Sequence, residues 1–481
     1  MKLRITNINK FVCLDNRYKI FDEMKIHGES DESFFYYSNY SNKVLYRLTL
    51  LSCIKALGAW MKIKIRKNKQ NEIRKKSWRD GIMKKKLKKV FAFAVACVMA
   101  MSVAACGGSS DNAGTQNSDN GSGTEGGTFL IGGIGPLTGG AAVYGEAVRN
   151  GAQIAIDEIN TAGGVNGMTL AMNFQDDEHD AEKAVNAYNT LKDRGMKVLM
   201  GTVTSDPCIA VVEKTAEDNM FQITPSGSAM DCIRYDNAFR VCFNDPEQGA
   251  ASAQYIGESG LAEKVAIIYD SSDTYSSGIY ETFVMEAANQ GFEIVETQAF
   301  TADSKTDFSV QLQKIQEAAP DLVFLPIYYE EAALILKQAD RVNLSVQFFG
   351  CDGLDGVIGQ LGDDVALAEG AMLLTPFVAD AQDELTQRFV STYESLYGIT
   401  PNQFAADAYD AIYAIKAALE FAGISDPNMS VSDICEAMKA AMLEIEVPGL
   451  TGTMTWSADG ECSKEPKAMV ISGGVYTAIN N

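Results

Sequence analysis

Residues 128–161 read TFLIGGIGPLTGGAAVYGEAVRNGAQIAIDEINT. An apolar strand over Phe129–Ile134 is followed by a glycine-rich turn and then by an amphipathic helix over Tyr144–Thr161. This order is typical of α/β folds, in which ligands bind at the carboxyl ends of parallel strands. The turn resembles a phosphate loop, but Pro136 interrupts it and its glycines do not have the dinucleotide spacing. The stretch therefore predicts a strand-turn-helix unit and is only a weak indication of a nucleotide.

The same alternation of strands and helices continues to about residue 375. Strand candidates recur from Thr169–Gln175 to Gly370–Leu374, with amphipathic helix candidates between them. Because these strands are too many for one sheet of usual size, we predict two doubly wound α/β lobes with parallel sheets. Long helices follow, and then strand-like segments at Leu450–Trp456 and Lys467–Ile471.

Charge divides the chain near residue 106. The sequence has 41 Lys and Arg and 63 Asp and Glu, of which residues 1–106 hold 23 and 8. The remainder is strongly acidic, which disfavours nucleic acid as a partner because that binding depends on cationic contacts to phosphate. Its hydrophobic content, 46% over the whole chain, is sufficient for buried cores.

Residues 83–106, MKKKLKKVFAFAVACVMAMSVAAC, have the pattern of an export signal. The small residues before the last cysteine resemble the lipobox of bacterial lipoproteins and predict lipidation of Cys106 after removal of residues 83–105. A membrane anchor or an ordinary cleaved signal is the alternative. Residues 106–127 are rich in Gly, Ser and Asn and predict a flexible tether. We interpret residues 1–82 as a mis-assigned upstream extension, with Met83 as the true start.

The acidic body, residues 107–481, offers little catalytic chemistry. Its one histidine is His179, at a polar helix start where we expect a solvated capping position. No Ser-His, Cys-His or CxxC motif is present for nucleophilic or zinc chemistry. Asp176 and Asp177 lie between a strand and a helix, so we expect a turn and a helix cap rather than acid–base catalysis. We therefore expect no enzyme, no metal and no cofactor.

Two polar loops follow neighbouring strand candidates. In MGTVTSDPC, residues 200–208, Ser205 precedes a helix that starts near Pro207. A hydroxyl and free N–H groups at a helix start can bind a carboxylate, although helix capping alone also explains them. In ITPSGSAM, residues 223–230, the small residues Ser226, Gly227 and Ser228 follow the next strand, where turn chemistry is the alternative. Together the loops indicate an anion-binding edge of the sheet.

From Thr128 to the C-terminus the sequence resembles the Leu/Ile/Val-binding family of type I periplasmic binding proteins. The resemblance rests on the order of the motifs IGPLTG, GAQIAIDEINTAGGVNG, VLMGTVTS, TPSGS, AIIYDSSDTYSSG, FLPIYYEEA and FFGCDG. It implies two Rossmann-like lobes joined by a three-segment hinge: residues 128–245 with 376–447, and residues 246–375 with 448–481. It also implies an extracytoplasmic monomer, lipid-anchored at the cell membrane, that serves the permease and ATPase subunits of an ABC importer.

The resemblance implies that the lobes close on a free amino acid. Ser205 and Ser228 would hold its carboxylate, aided by backbone groups at Ser226 and Gly227. Asp352, in GCDG, would hold the ammonium group together with the Ser226 carbonyl, although Asp-Gly is also a common turn dipeptide. Three tyrosines would line the cleft, and Phe404 would be either another wall or a core residue. The tyrosines are Tyr144, Tyr275 and Tyr329.

The sequence departs from this family in two places. Asp352 stands where the Leu/Ile/Val member has Glu, and the disulfide positions of that member correspond to His179 and Thr204. Six cysteines lie elsewhere in the body, and the sequence does not determine their pairing; a disulfide between Cys208 and Cys232 is the suggested pair, because these two flank the polar loops. They are Cys208, Cys232, Cys242, Cys351, Cys435 and Cys462. The family favours a branched-chain or other aliphatic amino acid; small amides or urea-like solutes, and a sensory receptor of the same fold, stay open.

Overall fold

The chain divides into two units, residues 1–118 and 119–481. The computed structural model describes residues 127–479 and, in the first unit, two dipeptide strands, Arg4–Ile5 and Ile26–His27, which pair antiparallel. The expected export signal (83–105), the expected lipidation site Cys106 and the tether up to residue 126 lie outside the described residues. All elements below belong to the second unit.

Five parallel strands form the first sheet. They are β1 (Thr128–Gly135), β2 (Thr169–Asp176), β3 (Val198–Gly201), β4 (Gln222–Thr224) and β5 (Ala238–Arg240). Helices α1 (Ala142–Thr161), α2 (Ala181–Asp193) and α3 (Ser205–Asp218) follow the first three. The order β2-β1-β3-β4-β5 brings the carboxyl ends of β3 and β4 side by side, so the two polar loops are neighbours.

The second sheet has seven strands, in the order β14-β13-β10-β9-β8-β6-β7. They are β6 (Lys264–Asp270), β7 (Glu293–Phe300), β8 (Leu322–Leu325), β9 (Gln347–Gly350), β10 (Met372–Thr375), β13 (Lys467–Ser472) and β14 (Val475–Ala478). The first five are parallel, and β13 pairs antiparallel with β10 and β14. Strands β11 (Val447–Gly449) and β12 (Gly452–Met454) form a separate antiparallel pair.

The first of the remaining helices connects the two sheets, the next four alternate with strands of the second sheet, and the last three come after β10. They are α4 (Asp245–Glu258), α5 (Thr274–Ala287), α6 (Ser309–Ala318), α7 (Tyr329–Arg341), α8 (Val357–Leu361), α9 (Glu384–Tyr397), α10 (Gln403–Phe421) and α11 (Val431–Met442). Helix α10 crosses α1 so closely that a Cβ on Gly151 would overlap the carbonyl oxygen of Ala405. Within the described residues, no helix is long and apolar enough to cross a membrane.

Burial explains why these segments form one structure. In α1, Val148, Ala152 and Ile156 lie on one face at helical spacing and are fully or almost fully buried. Burying one such aliphatic side chain contributes about 1.5–3 kcal/mol for the larger residues. Because the chain crosses between the sheets after β5, after β10 and after α11, residues distant in sequence meet in the cleft between the sheets. The two sheets confirm the predicted α/β class.

Candidate functional site

The loops at the carboxyl ends of the strands enclose a cavity between the two sheets. Its volume is about 10 Å³, room for about one water-sized sphere. It is lined by Tyr144, Val203, Thr204, Ser205, Ser226, Ser228, Tyr275, Tyr328, Asp352, Gly353 and Phe404. Six of the eight ligand residues predicted from the sequence are among them. An amino acid could enter only if the cleft opens.

The first serine loop ends at the start of α3. Thr204 is the N-cap residue, but its side chain makes no capping hydrogen bond, so the first N–H groups of α3 have no side-chain acceptor. Ser205, the first residue of the helix, is 1% exposed, and its Oγ accepts the N–H of Ala229 at 3.2 Å. This hydrogen bond joins the first loop to the second. The helix N-terminus carries partial positive charge, which favours an anion at this end of the cavity.

The second serine loop is tied to the first by hydroxyl groups. Ser226 Oγ donates its proton to the carbonyl of Val203 at 2.7 Å, so this hydroxyl has no proton left to donate to a ligand carboxylate, whereas the Ser226 oxygens can still accept hydrogen bonds. The N–H of Gly227 donates to Thr224 Oγ1 at 2.7 Å, which places Gly227 behind the cavity wall. Ser228 is buried and lines the cavity. Ser205 and Ser228 are therefore the hydroxyl groups placed to meet a carboxylate.

Asp352 faces these loops from the second sheet. It follows β9, and its carboxylate accepts a hydrogen bond from the Tyr275 hydroxyl at 2.6 Å. Its own N–H donates to Gln248 Oε1 at 3.2 Å. Burial raises the pKa of Asp352 to about 6, although the hydrogen bond from Tyr275 opposes the shift. Among the described residues no cationic side chain pairs with Asp352, and a buried carboxylate of this kind is the group that an ammonium ion would stabilise.

Tyr144 bridges the two sheets across the cavity. It lies in the first turn of α1, and its hydroxyl donates to the carbonyl of Gly353 at 2.6 Å. The same oxygen accepts the N–H of Tyr329 at 3.0 Å. Its ring packs on Phe404, with centroids 4.3 Å apart, so Phe404 contributes an apolar wall. These contacts hold the cleft in the closed arrangement.

A sequence profile of the periplasmic binding protein family matches residues 128–466. This chain belongs to that family. The Leu/Ile/Val-binding protein BraC3 of Rhizobium johnstonii is 29% identical over 340 residues, which are 70% of this chain and 89% of that protein. The leucine-, isoleucine-, valine-, threonine- and alanine-binding protein of Pseudomonas aeruginosa is 28% identical, over 69% of this chain and 87% of that one.

A solved structure shows the same fold. The branched-chain amino acid transporter substrate binding protein LivJ from Streptococcus pneumoniae, in complex with isoleucine, aligns with a TM-score of 0.66. The alignment has 26% identity and covers 73% of this chain and 98% of LivJ. The resemblance and the type I periplasmic binding protein fold predicted from the sequence are confirmed. Periplasmic binding proteins are solute-binding proteins, and the names of these relatives and of LivJ assign branched-chain amino acid binding to those proteins.

Two of the predicted ligand residues do not line the cavity. Gly227 lies behind it, and Tyr329 packs to one side, where its hydroxyl accepts the N–H of Val143 at 3.4 Å. The cavity wall contains Tyr328 instead, stacked on Tyr275 with centroids 4.9 Å apart. Tyr328 is the N-cap residue of α7 and has an extended backbone, whereas Tyr329 is already helical and points another way. Ligand contacts of all these residues stay predictions.

His179 is not the solvated capping residue that we expected. Asp180 caps α2, accepting the N–H of Lys183 at 2.8 Å. His179 is half-buried, with Nδ1 2.9 Å from Thr204 Oγ1 and its ring against Tyr328. Burial lowers the pKa of His179, which favours the neutral ring. It therefore supports the walls of the cleft.

A second cavity, of about 260 Å³, shares Tyr328 with the first. Five carboxyl groups and two basic side chains are among the residues that line it: Glu178, Asp206, Asp270, Asp273, Glu331, His179 and Lys305. One of the carboxylates, Glu331, pairs with Lys305 at 2.8 Å. Burial raises the pKa of Asp273 to about 7. The space beside Tyr328 is therefore polar and acidic.

Cys208 and Cys232 are neighbours beneath the serine loops, as their flanking positions suggested. All six cysteines in the described part of the chain are free and buried. The two thiols pack in one buried cluster, and Cys232 Sγ donates to the Ser205 carbonyl at 3.7 Å. The neighbouring Cys232 thiol lowers the pKa of Cys208, while burial raises the pKa of Cys232 well above its usual value. The pair is therefore two thiols in contact, and the suggested disulfide is not formed in this structure.

Sequence reasoning missed Arg240 and Asp245, which support the second serine loop. Arg240 contacts three carbonyl groups of that loop, and the N–H of Asp245 donates to the Ser228 carbonyl at 3.1 Å. Burial raises the pKa of Asp245 well above its usual value, which favours the protonated carboxyl. One signal was available, because Arg240 stands alone in the apolar run AFRVCF.

Proposed function

We propose that this chain is the extracytoplasmic substrate-binding lipoprotein of an ABC importer and that it captures a free amino acid by closure of two lobes. The lobes comprise residues 128–245 with 376–447, and residues 246–375 with 448–481. A branched-chain or other aliphatic amino acid is the favoured ligand, since the relatives are named for binding such amino acids.

One observation carries the proposal: the serine loops and Asp352 face each other across a single cavity. A zwitterion that leaves water must have both of its charges replaced by protein groups. Hydroxyl groups and the α3 N-terminus suit the carboxylate, and Asp352 with the Ser226 carbonyl suits the ammonium. Charge-assisted hydrogen bonds of this kind contribute about 1.5–3 kcal/mol each.

The aromatic residues explain why binding and closure are coupled. Tyr144 comes after strand β1 of the first sheet, whereas Tyr275 and Tyr328 come after strands β6 and β8 of the second sheet. A ligand that lies among these three rings therefore contacts both lobes at once. A ligand that contacts both lobes only in the closed form stabilises that form by the difference in affinity. Because the cavity in the closed form is small, Tyr328 or the lobes must move to admit an amino acid.

Export and anchoring rest on the sequence of residues 83–127. The lysine-rich apolar signal would direct export and then be removed, the lipid on Cys106 would attach the protein to the membrane surface, and the polar tether would let it reach the importer. The test is incorporation of labelled fatty acid in the producing cells. We expect label in the wild-type chain and none in Cys106→Ala, and equal labelling of both would contradict the anchor.

The ligand is tested by a thermal-shift screen of the full chain, purified in mild detergent. The panel contains leucine, isoleucine, valine and alanine. Lysine and arginine are included because the second cavity is acidic, and small amides and urea are included because the first cavity is small. A ligand at a hundredfold its Kd should stabilise the fold by about 2.7 kcal/mol. If no amino acid stabilises the protein and an amide or urea does, the amino acid proposal fails.

A further inference from the structure

Arg240 is a buried arginine that does not line the cavity of the proposed amino acid site, so that site does not explain its burial. It is the last residue of β5 and is 0% exposed, flanked by the buried Phe239 and Val241. Removing a guanidinium group from water costs several kcal/mol, which only good partners can offset. Its partners therefore indicate what its burial achieves.

Most of these partners are carbonyl groups of the second serine loop. Nη1 donates to the carbonyls of Gly227, at 3.4 Å, and Ser228, and Nη2 donates to the carbonyl of Ala229 at 3.1 Å. Three consecutive carbonyl groups thus point to one cation. In a trans peptide the C=O and N–H point in opposite directions, so the loop N–H groups are turned away from Arg240. The planar, multi-donor guanidinium suits this arrangement, whereas an ammonium group would not.

The other side of Arg240 is held by the C-terminal segment. The side-chain Nε of Arg240 lies 3.1 Å from Glu461 Oε2. The backbone N–H of Arg240 donates to the Gly460 carbonyl at 3.0 Å, and its backbone carbonyl accepts a hydrogen bond from Trp456 Nε1 at 2.7 Å. If Arg240 served only to neutralise Glu461, its contacts with the serine loop would be unexplained. The residue instead links the segment after β12 to the loop that carries Ser228.

We infer that Arg240 is a positioning residue for the anion subsite, holding the Gly227–Ala229 carbonyls so that the hydroxyl and the N–H of Ser228 face a ligand carboxylate. Its positive charge, behind the peptide dipoles, also favours an anion on the cleft side. The inference rests on the proposed function for the identity of that anion. It does not require Arg240 to touch the ligand.

The experiment compares Arg240→Met, which removes the charge, and Arg240→Lys, which keeps it without the planar donor fork, with wild type. Arg388→Met is the matched control, since Arg388 is an exposed arginine 3.7 Å from Glu158, outside the residues that line the cavity. Calorimetry with the full chain measures the affinities for leucine and leucinamide, which lacks the carboxylate. Hydrogen exchange of peptides covering residues 225–230 measures order in the ligand-free loop.

We expect Arg240→Met to weaken leucine binding about tenfold and leucinamide binding about twofold. The tenfold loss corresponds to the binding free energy of about one charge-assisted hydrogen bond. Exchange at residues 225–230 should become at least about tenfold faster, because the carbonyl anchor of the loop is lost. Arg240→Lys should recover only part of either effect, and Arg388→Met should match wild type.

Equal losses for leucine and leucinamide would overturn the role in the anion subsite, since a general loss of structure affects both ligands. Unchanged loop exchange would overturn the positioning role whether or not any ligand binds. If wild type binds no amino acid, the proposed function fails, while loop exchange in Arg240→Met still decides whether Arg240 holds the loop.

Discussion

Lowering the pH should weaken amino acid binding through Asp352. Burial raises the pKa of this carboxyl from 3.8 to about 6, and only its ionised form can balance a ligand ammonium. With that pKa, about 97% of the groups are ionised at about pH 7.5 and about 9% at about pH 5. Leucine affinity should therefore fall about tenfold from about pH 7.5 to about pH 5, in proportion to the ionised fraction of Asp352. The ligand does not contribute to this change, since it keeps its ammonium charge at both pH values.

The stability of the ligand-free protein should move in the opposite direction. A carboxyl whose pKa is raised on folding contributes stability below its unfolded pKa of 3.8, and this contribution is lost as the pH rises through about 6. Between these values, rising pH should lower the melting temperature of the empty protein while it strengthens leucine binding. Differential scanning fluorimetry and calorimetry on the same samples separate the two effects.

Two variants assign the pH dependence to Asp352. Asp352→Asn should lose about 10- to 150-fold in leucine affinity at neutral pH, equivalent to about 1.5–3 kcal/mol, and its remaining affinity should not depend on pH. Tyr275→Phe removes the hydroxyl that donates to Asp352 at 2.6 Å, so the midpoint should move to higher pH. A wild-type affinity that changes less than about twofold, or a parallel pH curve in Asp352→Asn, would refute the reasoning.

Three further predictions concern the loops and the closed arrangement. Ser205→Ala should weaken leucine binding about tenfold and leucinamide binding about twofold by calorimetry, because only leucine has a carboxylate for the lost hydroxyl; equal losses would contradict this. Tyr144→Phe removes the hydrogen bond to the Gly353 carbonyl, so small-angle scattering should show a larger radius of gyration without ligand, and an unchanged radius would remove Tyr144 from the closure contact. Non-reducing peptide mapping should recover Cys208 and Cys232 as separate thiol peptides, and a peptide pair joined by a disulfide would disprove the free-thiol assignment.

Side chains that depend on exact backbone position were harder to predict from the sequence. Tyr328 and Tyr329 are adjacent, and which one faces the cavity depends on where α7 begins. Helix boundaries are uncertain from sequence because the capping pattern is weaker than the apolar periodicity. His179 shows the same limit, since Thr204 and Tyr328, which bury it, belong to other segments.

The alternation of apolar strands and amphipathic helices determined the α/β class, because periodicity is a local property of the chain. The polar residues that follow strands β3, β4 and β9 also indicated where a ligand would bind, since parallel strands present their carboxyl ends at one edge of a sheet. Only the tertiary structure decided that Arg240 holds the Ser228 loop, that Tyr144 bridges the sheets and that Cys208 contacts Cys232. These contacts join segments far apart in sequence, and such packing depends on how the whole chain crosses between its two sheets.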